Sequence, residues 1–325
     1  MDVVEHHVSV WEGRRDNWRA GLRVGLRLAA AEGQLLARAA PDADAVIVGY
    51  PGHLDVPVAR IRARGRPIAF NPLVSLADTL VSDRRRFEPS TLAARALERI
   101  DRAAFDAADL VVADTDAQRR FFAQLTRTEV DACFVGAEER LFTPGWSPPP
   151  EFDVLFVGKL IPLQGVDVVL ESARRLPELR FRLVGSGQLE PLLRHRPANV
   201  HHQPWILYEE LPAAFHQAGC ALGIFGTTDK AQRVIPNKAF QALACGTPLV
   251  TADTPATREL LVDGESALLV PPGDPDALAE AVRRIAGGRV RAERLSTGGR
   301  AAYERSASEA ILGERWRSLL DRLVH

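Results

Sequence analysis

The second half of the chain alternates between two periodicities, and that alternation limits the folds open to it more than any other feature. Residues 153–157 are an apolar run, 166–176 place apolar residues at helical spacing, 181–184 are apolar again and 189–195 are helical. The succession continues with a helix at 209–217, a run at 220–225, a helix at 239–244, a run at 249–251, a helix at 255–261, a run at 267–270 and a helix at 275–286. A strand period that repeatedly gives way to a helix period reads as βαβ units, and therefore as an α/β chain with a parallel, doubly wound sheet.

The first half has the same grammar, with apolar strands at 45–48, 67–70, 110–113 and 133–135 and room for helices between them. It opens on an alternating stretch, 3–10, where such a domain would have a first strand, Gly-rich turn and helix, so one unit is expected to be missing. An Arg-studded amphipathic helix at 18–40 reads as a layer on the sheet in preference to a membrane-surface element. Between the halves lies Thr143-Pro144-Gly145-Trp146-Ser147-Pro148-Pro149-Pro150, whose prolines allow neither a helix nor a central strand. The expected organisation is a Rossmann-like domain at 1–142, a linker at 143–151, a second domain at 152–305 and a final helix at 306–325 packed near the junction. A chain of 325 residues suits two such domains. Two domains imply a cleft.

With 41 basic and 42 acidic residues the net charge is -1, which excludes bulk attraction to nucleic acid and requires any bound anion to be held locally. Cys133, Cys220 and Cys245 are scattered through apolar segments with no CxxC, which suits a reducing compartment. No long apolar run or signal-peptide pattern occurs, so a cytoplasmic location is expected, with at most peripheral contact at the inner membrane face. His6-His7 and His201-His202 have no third ligand at metal spacing, and no metal or other cofactor is expected.

Only three of the 41 basic residues are lysines, Lys159, Lys230 and Lys238, and each falls at or just after the end of an expected strand. Open α/β sheets bind ligands there. Gly158-Lys159 and Gly165 bracket a strand-to-helix turn, and Gly185-Ser186-Gly187 forms a second one; each reads as an anion-binding turn or simply as a tight turn. A more specific feature is the run from Arg233 to Pro248. Pro236 fits the first turn of a helix and Gly246 its C-cap, so the free amides of Asn237 and Lys238 would face a phosphate.

The stretch 156–286 resembles the C-terminal domain of glycosyltransferase family 4. IPNKAFQALACGTPLVTADTPATRELLVDGESALLVPPGDPDALAEAV is similar to the family's donor-binding helix and its sequel, and VGKLIPLQGVDVVLESA to its first strand and phosphate loop. VIVGYPGHLD and NPLVSLADTL in the first half are similar to one branch of it. The resemblance implies a GT-B fold, two Rossmann-like domains facing a cleft. It also implies a nucleotide diphosphate sugar held by the second domain, and transfer with retention of configuration and no obligate metal. A small-molecule, lipid-linked or polysaccharide acceptor would sit on the first domain.

Carried over residue by residue, Gly158 and Lys159 match the glycine and basic residue that meet the donor diphosphate. The family's second diphosphate lysine is Gln164 here, and Lys238 is expected to supply that charge. Gln241 stands where a Glu bonds the donor ribose, and Arg233 where a Glu contacts the sugar. Trp205 and Ile206 lie where the base is recognised, with a core tryptophan as the equal alternative. His53, at a strand end, reads either as the family histidine near the transferred sugar or as a turn residue. His53, Lys159 and Lys238 are thus the candidate catalytic residues, and Gly158, Lys159, Gly185, Trp205, Ile206, Arg233, Pro236, Asn237, Lys238 and Gln241 the candidate donor contacts. The substitutions at 164, 233 and 241 also support another reading, a catalytically impaired or partner-dependent nucleotide-binding protein. An epimerase on the same fold is a third.

Overall fold

The computed structural model describes residues 2–5, 7–8, 22–37 and 42–325. In chain order it runs α1 (Leu22–Ala37), β1 (Val46–Val48), α2 (Asp55–Ala63), β2 (Ile68–Phe70), a π-helix (Asp78–Asp83), α3 (Leu92–Asp106), β3 (Leu110–Ala113), α4 (Asp116–Phe122) and β4 (Glu129–Ala132). After the linker come β5 (Asp153–Val157), α5 (Val166–Arg174), β6 (Arg180–Val184), β7 (Val200–Gln203), α6 (Leu211–Gln217), β8 (Cys220–Leu222), α7 (Asn237–Cys245), β9 (Leu249–Ala252), β10 (Leu268–Val270), α8 (Pro275–Ala286), α9 (Arg289–Ser306) and α10 (Glu309–Val324).

The strands form two sheets, in the orders β1-β2-β3-β4 and β10-β9-β8-β5-β6-β7, and every pairing is parallel. Parallel strands are covered on both faces, which is why β3, β8 and β9 are buried end to end and made of apolar or small residues. In the second sheet the order reverses direction between β5 and β8, so their carboxyl ends open a crevice.

Several boundaries differ from the sequence reading. The fourth strand is Glu129–Ala132, one step before the apolar 133–135, because an edge strand beside β3 needs only one covered face and tolerates Glu129 and Asp131. The segments 189–195 and 255–261 contain only short 3₁₀ turns, Glu190–His195 and Thr257–Glu259. Helix α9 went unread; its low apolar content and two glycines, Gly298 and Gly299, hide it, although it packs on α7 and α8. Of the stretch 3–10, residues 3–5, 7 and 8 lie in no strand, and 6, 9 and 10 are outside the described residues. Of 18–40, residues 22–37 are helical and the others are outside the described residues.

The linker is fastened to the second domain, where Gly145 and Trp146 donate backbone N–H groups to Cys245 O and the Trp146 indole donates to Ala218 O at 2.7 Å. Helix α10 leaves that domain and lies on the first sheet. Leu319 is buried against Leu110, Val112 and Cys133, and Arg315 and Arg322 both pair with Asp131.

Candidate functional site

Strand β5 ends at the crevice, and Gly158 and Lys159 follow it directly. The turn after β6 comes so close that a methyl group on Gly185, whose φ is +141°, would overlap the Gly158 carbonyl. Glycine is therefore required at 185 by both the backbone conformation and the approach. The side chain of Lys159 remains exposed at this mouth.

Arg84, the residue just after the π-helix, approaches Lys159 from the other domain. Partial burial, and then the Arg84 guanidinium, hold the Lys159 ammonium below its usual pKa. The Arg84 backbone carbonyl accepts from Gln188 of the turn after β6 at 3.2 Å, and its Nε has no hydrogen-bond partner. Two cations from two domains thus face one another, an arrangement that an anion placed between them would relieve. Sequence reasoning missed Arg84. The available signal was the dense charge in Asp83-Arg84-Arg85-Arg86 immediately beyond a strand-and-loop unit.

Helix α7 starts at Asn237 with Pro236 as N-cap and ends at Gly246 with φ +78°. No side chain caps its N-terminus; Ala239 N donates to Pro236 O at 2.8 Å, and the amides of Asn237 and Lys238 are left to face the mouth. Asn237 is exposed there.

Lys238 does not extend into the open mouth. It is 6% exposed; its Nζ donates to Gln164 Oε1 at 2.6 Å and sits 3.5 Å from the centroid of the Phe156 ring. Burial drives its pKa well below the ordinary lysine value. Its ammonium lies beneath the Gly158 turn, 3.5 Å from where a Cβ on Gly158 would stand. The expectation of a direct phosphate contact is corrected accordingly: Lys238 supports the turn and holds the Gln164 amide.

Arg233 joins the two domains. Its guanidinium pairs with Asp78 at 2.9 Å, donates to Gln118 Oε1 at 3.2 Å and covers the Phe121 ring at 4.0 Å, while its carbonyl accepts from Thr115 Oγ1. Glu259 adds a second clasp, taking the N–H groups of Asp116 and Ala117 at 2.6 and 2.7 Å and so capping α4 from the opposite domain. Gln241 is 9% exposed and lies beside the Tyr208 hydroxyl. Trp205 is half exposed, and Ile206 packs partly into the second domain's core.

His53 stands in the first domain's core and not in the cleft. It is 3% exposed between Phe70 and Phe105, its Nδ1 donates to Pro51 O, and its Nε2 lies 3.1 Å from Asp101. Asp101 in turn accepts from Ser75 Oγ, Leu76 N and Ala77 N. The expected position beside a transferred sugar is corrected to that of a buried polar link positioning the loop before the π-helix.

Residues 151–287 match the family described as Glycosyl transferases group 1. A D-inositol 3-phosphate glycosyltransferase of Acidothermus cellulolyticus is 31% identical over 217 residues, covering 58% of this chain and 48% of that protein. One of Mycolicibacterium gilvum is 27% identical over 241 residues, covering 67% and 51%. The chain spans about half the length of these curated relatives. Among solved structures, sucrose-phosphate synthase from Thermosynechococcus elongatus matches with a TM-score of 0.73 at 18% identity, covering 92% of this chain and 79% of that one. Anabaena HepE in complex with UDP and glucose matches with a TM-score of 0.70 at 16% identity, covering 93% and 83%. The chain therefore has the GT-B fold, and its segment 151–287 is similar throughout to glycosyl transferases of group 1.

Proposed function

We propose that this chain is a family 4 glycosyltransferase that takes a nucleotide diphosphate sugar, with uridine as the nucleoside, and moves the sugar to a hydroxyl-bearing acceptor with retention of configuration. The observation that carries this reading is the convergence of Lys159 and Arg84, two cations of opposite domains, at the carboxyl end of β5. The similarity to HepE, whose structure holds UDP and glucose, supports the uridine assignment. A departing diphosphate is stabilised there by the two cations and by the uncapped start of α7, which lowers the barrier without an enzymic nucleophile. Lys238 acts from below, by fixing Gln164 and the Gly158 turn. Arg233, held by Asp78, keeps the domains together around the site.

The test is a thermal-shift series with UDP, GDP, ADP, CDP and dTDP, since a ligand that binds only the native state raises stability by mass action. UDP is expected to give the largest rise. A flat response to all five would overturn the proposal. The engagement of Arg233 by Asp78 and of Gln241 by Tyr208 favours a second reading, a nucleotide-binding protein without turnover of its own. Release or transfer of sugar from a panel of uridine diphosphate sugars distinguishes the two.

A further inference from the structure

The buried network around Asp101 reaches further than the loop it holds. Asp101 lies on α3 and is 1% exposed, and three donors of one short segment converge on its carboxylate: Ser75 Oγ at 2.6 Å, Leu76 N at 2.8 Å and Ala77 N at 2.9 Å. Ser75 Oγ accepts in turn from Asp78 N at 3.0 Å. The amides at the entry of the π-helix are thus taken up by one carboxylate and the hydroxyl that it orients. His53 Nε2 lies 3.1 Å from Asp101 Oδ1 on the other side.

From that entry a line of bonds runs to Arg84. Ser75 O accepts from Thr79 N at 3.0 Å and from Thr79 Oγ1 at 2.7 Å, and Thr79 O accepts from Arg84 N at 3.0 Å. The second domain meets the same threonine, since Lys230 Nζ donates to Thr79 Oγ1 at 2.6 Å. Arg84 has little else to aim it. Its Nε has no hydrogen-bond partner, the Gln188 amide bonds its carbonyl and not its side chain, and Asp83 acts on it through space. A guanidinium held so loosely points where its backbone sends it, and a functional side chain is only as well placed as the shell that supports it.

We infer that Asp101 is a positioning residue for Arg84: by holding the entry of the π-helix it sets, through Ser75 and Thr79, where the guanidinium stands against Lys159. Asp101 is buried and acts only through these bonds. Its consequence for the donor rests on the reading of Lys159 and Arg84 as the diphosphate cations, whereas the placement of Arg84 does not. Asparagine at 101 keeps the size of the side chain but turns an NH2 group towards N–H and O–H donors, so part of the π-helix entry is released.

The placement can be read without any nucleotide, because burial, and then the Arg84 guanidinium, hold the Lys159 ammonium below its usual pKa, and the chain has only three lysines. The experiment follows the Lys159 titration by NMR in the full chain labelled at lysine Cε. The proteins are the wild type, Arg84→Ala, Asp101→Asn and Ser75→Ala, each of the last two also combined with Arg84→Ala, and Lys159→Ala assigns the resonance. Arg84→Ala is expected to raise the Lys159 titration, Asp101→Asn to raise it in the same direction, and their combination to go no further than Arg84→Ala alone. Calorimetry with UDP should show a loss of about threefold to tenfold in Asp101→Asn. The combined variant should lose no more than Arg84→Ala, the non-additivity of residues that act through one another. Ser75→Ala carries the same test with a smaller shift where a thermal melt shows Asp101→Asn unfolded. A Lys159 titration unmoved by the folded variants at 75 and 101, or losses of UDP affinity that add in full to that of Arg84→Ala, would overturn the inference. A wild type that fails to bind UDP while Asp101→Asn still moves the Lys159 titration would keep the placement and refute the nucleotide reading alone.

Discussion

Asp83 and Arg84 are adjacent in sequence and act on one another, yet Asp83 gathers with Asp78 and Asp114 around Lys230 while Arg84 also reaches Lys159 at the cationic mouth. Asp83 meets Thr228 and Lys230, whereas Arg84 faces Lys159 and joins the turn after β6 through its carbonyl. The π-helix makes this division, because its wider turn, with Arg84 N bonded to Thr79 O at 3.0 Å, changes the direction in which successive side chains leave the backbone. Such turns are concentrated at functional sites. The contrast teaches that charge in this cleft is sorted by local backbone geometry and not by domain, since both domains contribute to each end.

The largest effect should appear at the cationic end. Lys159→Ala and Arg84→Ala are each expected to weaken UDP binding about ten- to a hundredfold, the worth of a charge-assisted hydrogen bond of about 1.5 to 3 kcal/mol, and the double variant by more than either. Titration showing unchanged affinity in both singles would dissolve the contrast between the two ends. The domain clasp comes next. Arg233→Met leaves Asp78 buried without its partner and should cost about 2 to 3 kcal/mol in urea denaturation, with recovery in the Arg233→Met/Asp78→Asn double variant. Failure of the second substitution to recover stability would show that the loss comes from the Phe121 face instead of the ion pair.

Asp114 gives a pH-dependent effect of similar or smaller size. Its folded carboxyl titrates at about 7 against an ordinary value of 3.8, so the native state keeps a proton that the unfolded chain gives up. The protein is thus most stable below pH 4 as far as this group is concerned, and loses that stability as pH rises towards 7. Asp114→Asn removes the loss, so its stability advantage over the wild type should be absent at pH 4 and reach on the order of 2 kcal/mol above pH 7. Parallel melting curves across that range would place Asp114 in contact with solvent.

Gln241 should report a smaller change. Gln241→Glu is expected to hold UDP affinity or improve it by up to about tenfold, and Gln241→Ala to reduce it, if this side chain reaches the ribose. No change in either would make it a partner of Tyr208 only. Smallest of all is the expected response to chelator: none, because the described residues contain no group of three His, Cys, Asp or Glu suited to a metal ion. Turnover abolished by EDTA and restored by magnesium would show that the protein's own cations do not suffice.

The parts of this site that could be read in advance are those fixed within one short segment. Gly158-Lys159 and the start of α7 are set by a strand, a turn and a helix contiguous in sequence, and helix α8 was readable to the residue because Asp274 caps it and Pro275 opens it. What escaped was set by distant partners. Nothing near His53 announces Asp101, which turns a strand-end histidine into a core residue. Nothing near Lys238 shows that Gln164 will meet it under the Gly158 turn. Arg84 acquires its surroundings only when the second domain arrives, and the π-helix just before it follows no helical period that a pattern search would test.

The return of α10 to the first sheet means that the chain passes between the domains twice, once through residues 143–151 and again between α9 and α10. The first sheet is thus tied to the second domain by two stretches of backbone as well as by the Arg233 and Glu259 contacts, so a cut in either stretch alone leaves the halves joined.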